Sequence, residues 1–350
     1  MAYNSRTFFS RKVTFLNTLA TVLIVVLHSE SPLRFGMSLD GEHYPFIWWV
    51  YMLTQTAVPL FFFISGLLFY RQCEWRDIPS KLKKRFFSLV IPFFLWNLLF
   101  VCLYFVLSRL PFTASRMNLP NTLDTPKDWA LAIWHTRFTP LWFVKYLIFY
   151  CAFSPLILLV IKNRYVAIIT LLVPLAVALS GQLGADNEYS LLYWLPTYLG
   201  GAVMGRHVYG KKQHEDDALT VRWPIGMSAL SGLVFLLLYV RAGLYEGQAL
   251  HLFRLFSPVI IWFLTDLLMG NFLKQRFQPR RWMGYTFFIY ATHYFIINVL
   301  QTVIRSLLPP SAWVINLTFV LTPVITLLII IGIANVLSKY KVYKILTGGR

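Results

Sequence analysis

The sequence predicts an all-α integral membrane protein with about ten transmembrane helices and both termini cytoplasmic, built as one membrane domain over residues 1–350. Three observations carry this. The composition is 57% hydrophobic and 13% charged, with a mean hydropathy of +0.60, whereas soluble domains carry about 25% charge. Long apolar runs recur, each near the roughly 20 residues that a helix needs to cross a bilayer, and they lack the alternation of barrel strands. Basic residues, finally, fall unevenly on alternate connecting segments.

Residues 1–12 form a basic cytoplasmic arm. Span one, 13–29, opens with VTFLNTLATVLIVVL and ends at His28. It reads as a span rather than a signal peptide, because no small-residue cleavage site follows and a polar loop leads into another span. Span two, 46–70, contains Ser65-Gly66, a small pair that permits close helix packing. Span three, 87–108, follows the basic run Lys83-Lys84-Arg85. The outer loop 109–139 contains KDWALAIWHTRF, where Trp129, Leu131, Ala132, Trp134 and Phe138 stand among polar residues as in an interfacial helix. Asp124 or Thr125 is its expected cap, with Pro126 first in the helix.

Spans four to six are 140–161, 165–181 and 189–206, the last with Gly200-Gly201 as a second packing site. The inner segment GRHVYGKKQHEDDALTVR reads as a flexible connector. Spans seven to ten are 223–241, 252–271, 283–306 and 313–337, and 338–350 is a cytoplasmic tail. Cys73, Cys102 and Cys151 lack disulfide or metal spacing and are expected as free thiols. No metal site is expected. The absence of a visible repeat argues against an inverted-repeat transporter.

Charge orients these spans. With the N-terminus inside, the inner segments hold most of the 32 basic residues. The outer loops keep Arg34, Arg109, Arg116, Lys127, Arg137, Arg241 and Arg305, while Lys145 and Arg254 fall inside spans. This is the positive-inside pattern. The net charge of +18 therefore reads as topology and contact with anionic lipid. Nucleic acid is not an expected partner, because the charge is spread over six short loops.

A titratable side chain at the end of a span needs an explanation, and His28 is the first. It reads either as an interfacial anchor or as a group facing a polar cavity. Glu30, Lys145, His251 and Arg254 are expected at the same outer depth, with His135 on the interfacial segment. Snorkelling to headgroups is the plain reading of Lys145 and Arg254; an outer cavity is the functional one. His293 falls near the midplane of span nine, where it hydrogen-bonds across helices or lines a path. Asp266 lies deep in span eight and either pairs with a base such as Arg85 or is an inner-interface charge.

Six pieces in order, FLNTLATVLIVVLH (15–28), VPLFFFISGLLFYR (58–71), KKRFFSLVIPFFLW (83–96), PLWFVKYLIFY (140–150), YLGGAVMGR (198–206) and MGYTFFIYATHYFI (283–296), resemble acyltransferase family 3, the bacterial integral-membrane O-acyltransferases. The resemblance implies a multi-pass protein of the bacterial inner membrane. It implies transfer of an acetyl or similar acyl group from cytoplasmic acetyl-CoA, a co-substrate rather than a bound cofactor, to a hydroxyl of a surface glycan or lipid-linked sugar. His28 stands where the family has its catalytic histidine. Many members carry an arginine eleven positions earlier, where this chain has Asn17. Arg85 matches a common basic residue and, with Lys83 and Lys84, is a candidate for the donor phosphates; simple positive-inside charge is the plainer reading of that run.

In the mechanism this implies, His28 takes the acceptor's proton, Glu30 orients the imidazole, and Lys145 or Arg254 stabilises the oxyanion. A covalent acyl-histidine is the other route. A glycan or glycolipid transporter or flippase is the rival reading, and a non-catalytic scaffold is a third. Acceptor choice is expected in the outer loops 31–45, 109–139 and 307–312.

Overall fold

Each apolar run folds as helix in the computed structural model, which describes residues 8–110, 123–180, 190–209, 225–245, 247–269 and 277–349. In chain order the helices are α1 (Phe8–Leu27), α2 (Ser31–Arg34), α3 (Pro45–Thr54), α4 (Ala57–Tyr70), α5 (Ile78–Arg85), α6 (Ile91–Arg109), α7 (Pro126–Trp134), α8 (Trp142–Ala152) and α9 (Ser154–Ile161). They continue with α10 (Arg164–Leu179), α11 (Leu191–His207), α12 (Ile225–Tyr245), α13 (Gly247–Leu267), α14 (Thr286–Leu307), α15 (Ala312–Leu337) and α16 (Lys341–Leu346). Among the described residues there is no strand. Most of the inner connector and residues 111–122 of the outer loop lie outside the described residues, as do Arg6, Arg116, Lys211, Lys212, Arg222, Lys274, Arg276 and Arg350.

Among the described residues, six segments are long and apolar enough to cross a membrane: Phe8–Arg34, Pro45–Tyr70, Trp75–Arg109, Gly247–Leu267, Arg281–Leu307 and Ala312–Leu337. The pair α8–α9, bent by 65° between Ala152 and Ser154, makes a seventh if counted as one span. The other three expected spans are also helical. α10 and α12 contribute the apolar stretches Arg164–Val177 and Leu230–Tyr245. α11 has 17 residues, about 26 Å of helix against a hydrocarbon core of about 30 Å.

The chain divides into two units. The first comprises Met1–Ile24, Trp48–Lys81 and Ala152–Gly284; the second comprises Val25–Ile47, Leu82–Cys151 and Tyr285–Arg350.

Within the first unit, α4 and α11 pack backbone to backbone. Lipid tails are as apolar as leucine, so helices in a membrane associate through close approach of small residues rather than through apolar burial alone. Gly201 and Gly205, one turn apart, face the carbonyls of Phe63 and Leu67, and Gly66 faces the carbonyl of Tyr198. A Cβ at any of the three would collide with backbone. Gly200 has open space instead, so only one glycine of the expected pair is a packing residue. Phe9, Leu16, Leu60, Phe63, Leu67, Met204 and Trp262 complete this core.

Two prolines in the first unit each leave a helix carbonyl without its N–H, and one of them accompanies a break. Pro59 has no N–H for the carbonyl of Gln55, four residues earlier, and the segment Pro45–Tyr70 is interrupted there, between Thr54 and Ala57. Pro258 inside α13 likewise leaves the carbonyl of Arg254, to which the Ser257 hydroxyl donates at 3.4 Å. Asp266 also finds its partner here. Lys12 Nζ lies 2.6 Å from Asp266 Oδ1, so the partner is Lys12 and not Arg85, which belongs to the second unit. One turn before Asp266 on α13, the Trp262 ring centroid sits 3.8 Å from the same ammonium.

The second unit is built on α6, α14 and α15. Phe100 and Tyr104 of α6 pack their rings on Phe295 of α14 at 5.9 and 6.3 Å, and Tyr104 stacks on Phe138 at 4.6 Å. The α7 helix starts as the sequence predicts. Thr125 caps it, its hydroxyl accepting from Asp128 N at 3.2 Å, while the Asp128 carboxylate accepts from Thr125 N at 2.9 Å. A π-helical turn, Phe86–Val90, joins α5 to α6. The tail helix α16 is tied down where Trp96 Nε1 donates to the Leu346 carbonyl at 2.9 Å. All three cysteines are free thiols.

Candidate active site around His28

The site is built where α1 stops. Val13–Leu27 is apolar and continues as helix until the chain turns at Ser29, whose N–H and hydroxyl donate to the carbonyls of Val26 and Val25 at 3.0 and 2.7 Å. Both donors of Ser29 are thus satisfied inside the turn, which lets a polar residue be fully buried there. Pro32 then seeds the single helical turn α2, since its fixed φ suits a first turn. Two bonds fix this corner to the neighbouring helices. Gln301 Nε2 of α14 donates to the Ser29 carbonyl at 3.1 Å, and Ser31 Oγ donates to the Ile315 carbonyl of α15 at 2.7 Å.

His28 sits partly exposed at this corner. Its ring centroid lies 5.2 Å from that of His293 and 5.3 Å from that of Tyr294, both on α14. Arg34, at the end of α2, has its guanidinium carbon 5.7 Å from the Tyr294 ring centre, and it acts electrostatically on His28, as does His293. The Arg34 carbonyl is held by Arg305 Nη1 at 3.1 Å. Tyr104 and Asn298 extend the same polar cluster behind Tyr294.

His293 is fully buried. Its Nδ1 lies 2.8 Å from the Tyr290 carbonyl and 3.2 Å from the Ile289 carbonyl of its own helix. Carbonyls only accept, so the ring proton is assigned to Nδ1 and Nε2 is left as an acceptor. His293 therefore bonds along its own helix, where the sequence suggested a bond across helices. The Nε2 atom is buried with no hydrogen-bond partner among the described residues.

The remaining expected residues divide by unit. Glu30 is the N-cap residue of α2. Lys145, on α8, donates from Nζ to the Trp134 carbonyl at 3.2 Å. His135 is exposed at the end of α7. Lys83, Lys84 and Arg85 form the last turn of α5, with Lys83 and Lys84 exposed and Arg85 partly buried.

His251, Arg254 and Asn17 belong to the first unit. His251 Nδ1 is 2.7 Å from the Tyr193 hydroxyl. Arg254, 5% exposed, donates from Nε to Gln55 Oε1 at 3.1 Å and from Nη2 to the same oxygen. A guanidinium buried on a side-chain amide is not snorkelling to headgroups. The Asn17 carbonyl accepts from the Thr21 hydroxyl at 2.7 Å.

Arg34 is the residue that sequence reading passed over, as one more outer-loop charge. The signal was local: Ser31-Pro32 starts a helical turn, and one turn folds a residue six positions after His28 back toward it. Tyr104, Tyr294, Asn298 and Gln301 had no such signal, being ordinary polar residues of apolar helices.

Such a bundle, with a histidine, a second histidine and an arginine gathered at the end of its first helix, is a multi-pass membrane protein with a polar centre suited to proton transfer. Residues 13–335 match the acyltransferase domain of acyltransferase family 3, and the chain belongs to that family of membrane acyltransferases. No curated protein and no solved structure matches it.

Proposed function

We propose that this protein is an O-acetyltransferase of the bacterial inner membrane, with ten spans and both termini cytoplasmic. It moves an acetyl group from cytoplasmic acetyl-CoA to a hydroxyl of a surface glycan or lipid-linked sugar. The observation that carries the reading is the partly exposed imidazole of His28 against Tyr294, on whose ring the permanent cation Arg34 also rests within electrostatic reach of His28, in a chain of this family.

In this reading His28 takes the proton of the acceptor hydroxyl as its oxygen bonds to the thioester carbon. Arg34 stabilises the oxyanion that forms. Glu30, two residues from His28, supports the positive charge that the imidazole acquires. Lys83, Lys84 and Arg85 hold the donor phosphates, which suits the exposure of the two lysines. Lys145 serves the acceptor side.

The test is His28→Ala in cells, with surface glycans read by mass spectrometry. The expected result is loss of acetyl groups at normal membrane abundance of the variant. Undiminished acetylation at that abundance would sink the proposal.

A further inference from the structure

We propose that His293 is the positioning residue for His28: its Nε2 accepts the N–H of His28 once His28 carries the acceptor's proton. The proposal rests on the reading of His28 as the base and adds the group that holds it.

Four observations lead here. The two ring centroids are 5.2 Å apart with the planes tilted by 36°, a separation at which one imidazole nitrogen can aim at the other across a hydrogen bond of about 2.9 Å. His293 is fully buried, so water does not compete for it. Its Nδ1 proton is committed to the carbonyls of Tyr290 and Ile289, which fixes the tautomer with the lone pair on Nε2. That Nε2 has no partner among the described residues, and a buried acceptor without a donor calls for a reason. The anchoring is shared as well, because Gln301, two turns along α14 from His293, holds the carbonyl of the residue after His28.

The proton path balances. The acceptor's O–H proton passes to one nitrogen of His28 while the oxygen–carbon bond forms. The C–S bond breaks, and the thiolate leaves with the electron pair. The other N–H of the imidazolium donates to His293 Nε2, which accepts the hydrogen bond without taking the proton. His28 then returns its proton to the thiolate. The titratable groups that pack against or act on His28 are His293 and Tyr294 on α14 and Arg34 on α2; Tyr104 on α6 interacts with Tyr294 and Arg34, and Glu30 is two residues along the chain.

The experiment uses the full-length protein in nanodiscs, with acetyl-CoA cleavage read as free thiol. His293→Phe is expected to lower kcat about 100-fold with KM for acetyl-CoA unchanged. His293→Gln, which keeps an acceptor, is expected to recover most of that. The base works unprotonated, so the rate rises with pH through the titration of His28. Removing the acceptor of its N–H destabilises the charged form and moves this acidic limb to lower pH, an effect that looser packing alone does not produce. Wild-type kcat and an unmoved limb in both variants would overturn the proposal. If His293→Phe fails to accumulate, His293→Leu, which also lacks an acceptor, takes its place, and an unmoved limb there overturns the proposal. His28→Ala separates the two readings. Undiminished cleavage there removes the base itself, whereas loss there beside unaffected His293 variants removes only the positioning role.

Discussion

Lys12 Nζ and Asp266 Oδ1 stand 2.6 Å apart although 254 positions separate them in the chain. Lys12 is 1% exposed and is also covered by the Trp262 ring. A buried ion pair of this kind contributes little net stability, but breaking it leaves a charge without compensation. Asp266→Ala should therefore destabilise the protein by about 3 kcal/mol, and Lys12→Met combined with Asp266→Leu should restore most of the loss. Thermal unfolding of the purified variants measures both, and an unchanged melting temperature in Asp266→Ala would count against the pair.

The Gly200-Gly201 pair gives a sharper contrast. Gly201→Ala should cost about 2 kcal/mol or more, since the new methyl meets the backbone of Phe63, which cannot move aside as a side chain can. Gly200→Ala should be neutral or slightly stabilising, since it meets nothing and alanine is the better helix former. Equal melting temperatures for the two variants would contradict the phase of α11 against α4.

Arg34 is expected to act on rate rather than on folding, because its side chain is partly exposed and rests on one ring. Arg34→Gln should lower kcat by about 100-fold, the usual loss when one oxyanion-stabilising group is removed. Membrane abundance should stay normal. Full activity in that variant would move the oxyanion role elsewhere.

The loop between α2 and α3 carries its own pH dependence. The Asp40 carboxylate accepts from the N–H groups of His43 and Glu42 at 2.8 and 3.1 Å and from the Ser38 hydroxyl at 2.7 Å. These bonds hold the carboxyl well below the usual carboxylate range. The same carboxylate, 2.9 Å from His43 Nδ1, raises that histidine above its ordinary 6.5. A lowered acid stabilises above its unfolded value and loses this as pH falls, and a raised base stabilises below its unfolded value and loses this as pH rises. The loop is thus held best between about 3.8 and 6.5. Modification of His43 by diethyl pyrocarbonate, mapped by peptide mass, should titrate above 6.5, and Asp40→Asn should bring the midpoint back down toward 6.5. A midpoint unaffected by that change would exclude the pairing.

Features set within four residues were legible from the sequence. The Thr125–Asp128 cap of α7 depends on spacing alone, whereas the interruption before Pro59 was not read from the sequence, which predicts 46–70 as one span. His28 stood out because an imidazole closing an apolar run is costly to place. Family membership was legible because six ordered segments together are specific where each alone is weak. The count of spans was less so: beside the six clear spans stand the shorter apolar stretches Arg164–Val177 and Leu230–Tyr245 and the 17-residue α11.

What the sequence by itself determined, then, is the helical membrane class and the family, and it singled out His28 as a titratable group that needed a partner. Only the tertiary structure decided which groups meet. It placed His293 and Arg34 beside His28, gave Asp266 to Lys12, buried Arg254 on Gln55, and chose Gly201 over Gly200. The reason is physical. A helix that is apolar all round carries no stripe to say which way it faces, so its rotation is set by close backbone approach and by a few polar contacts between distant segments.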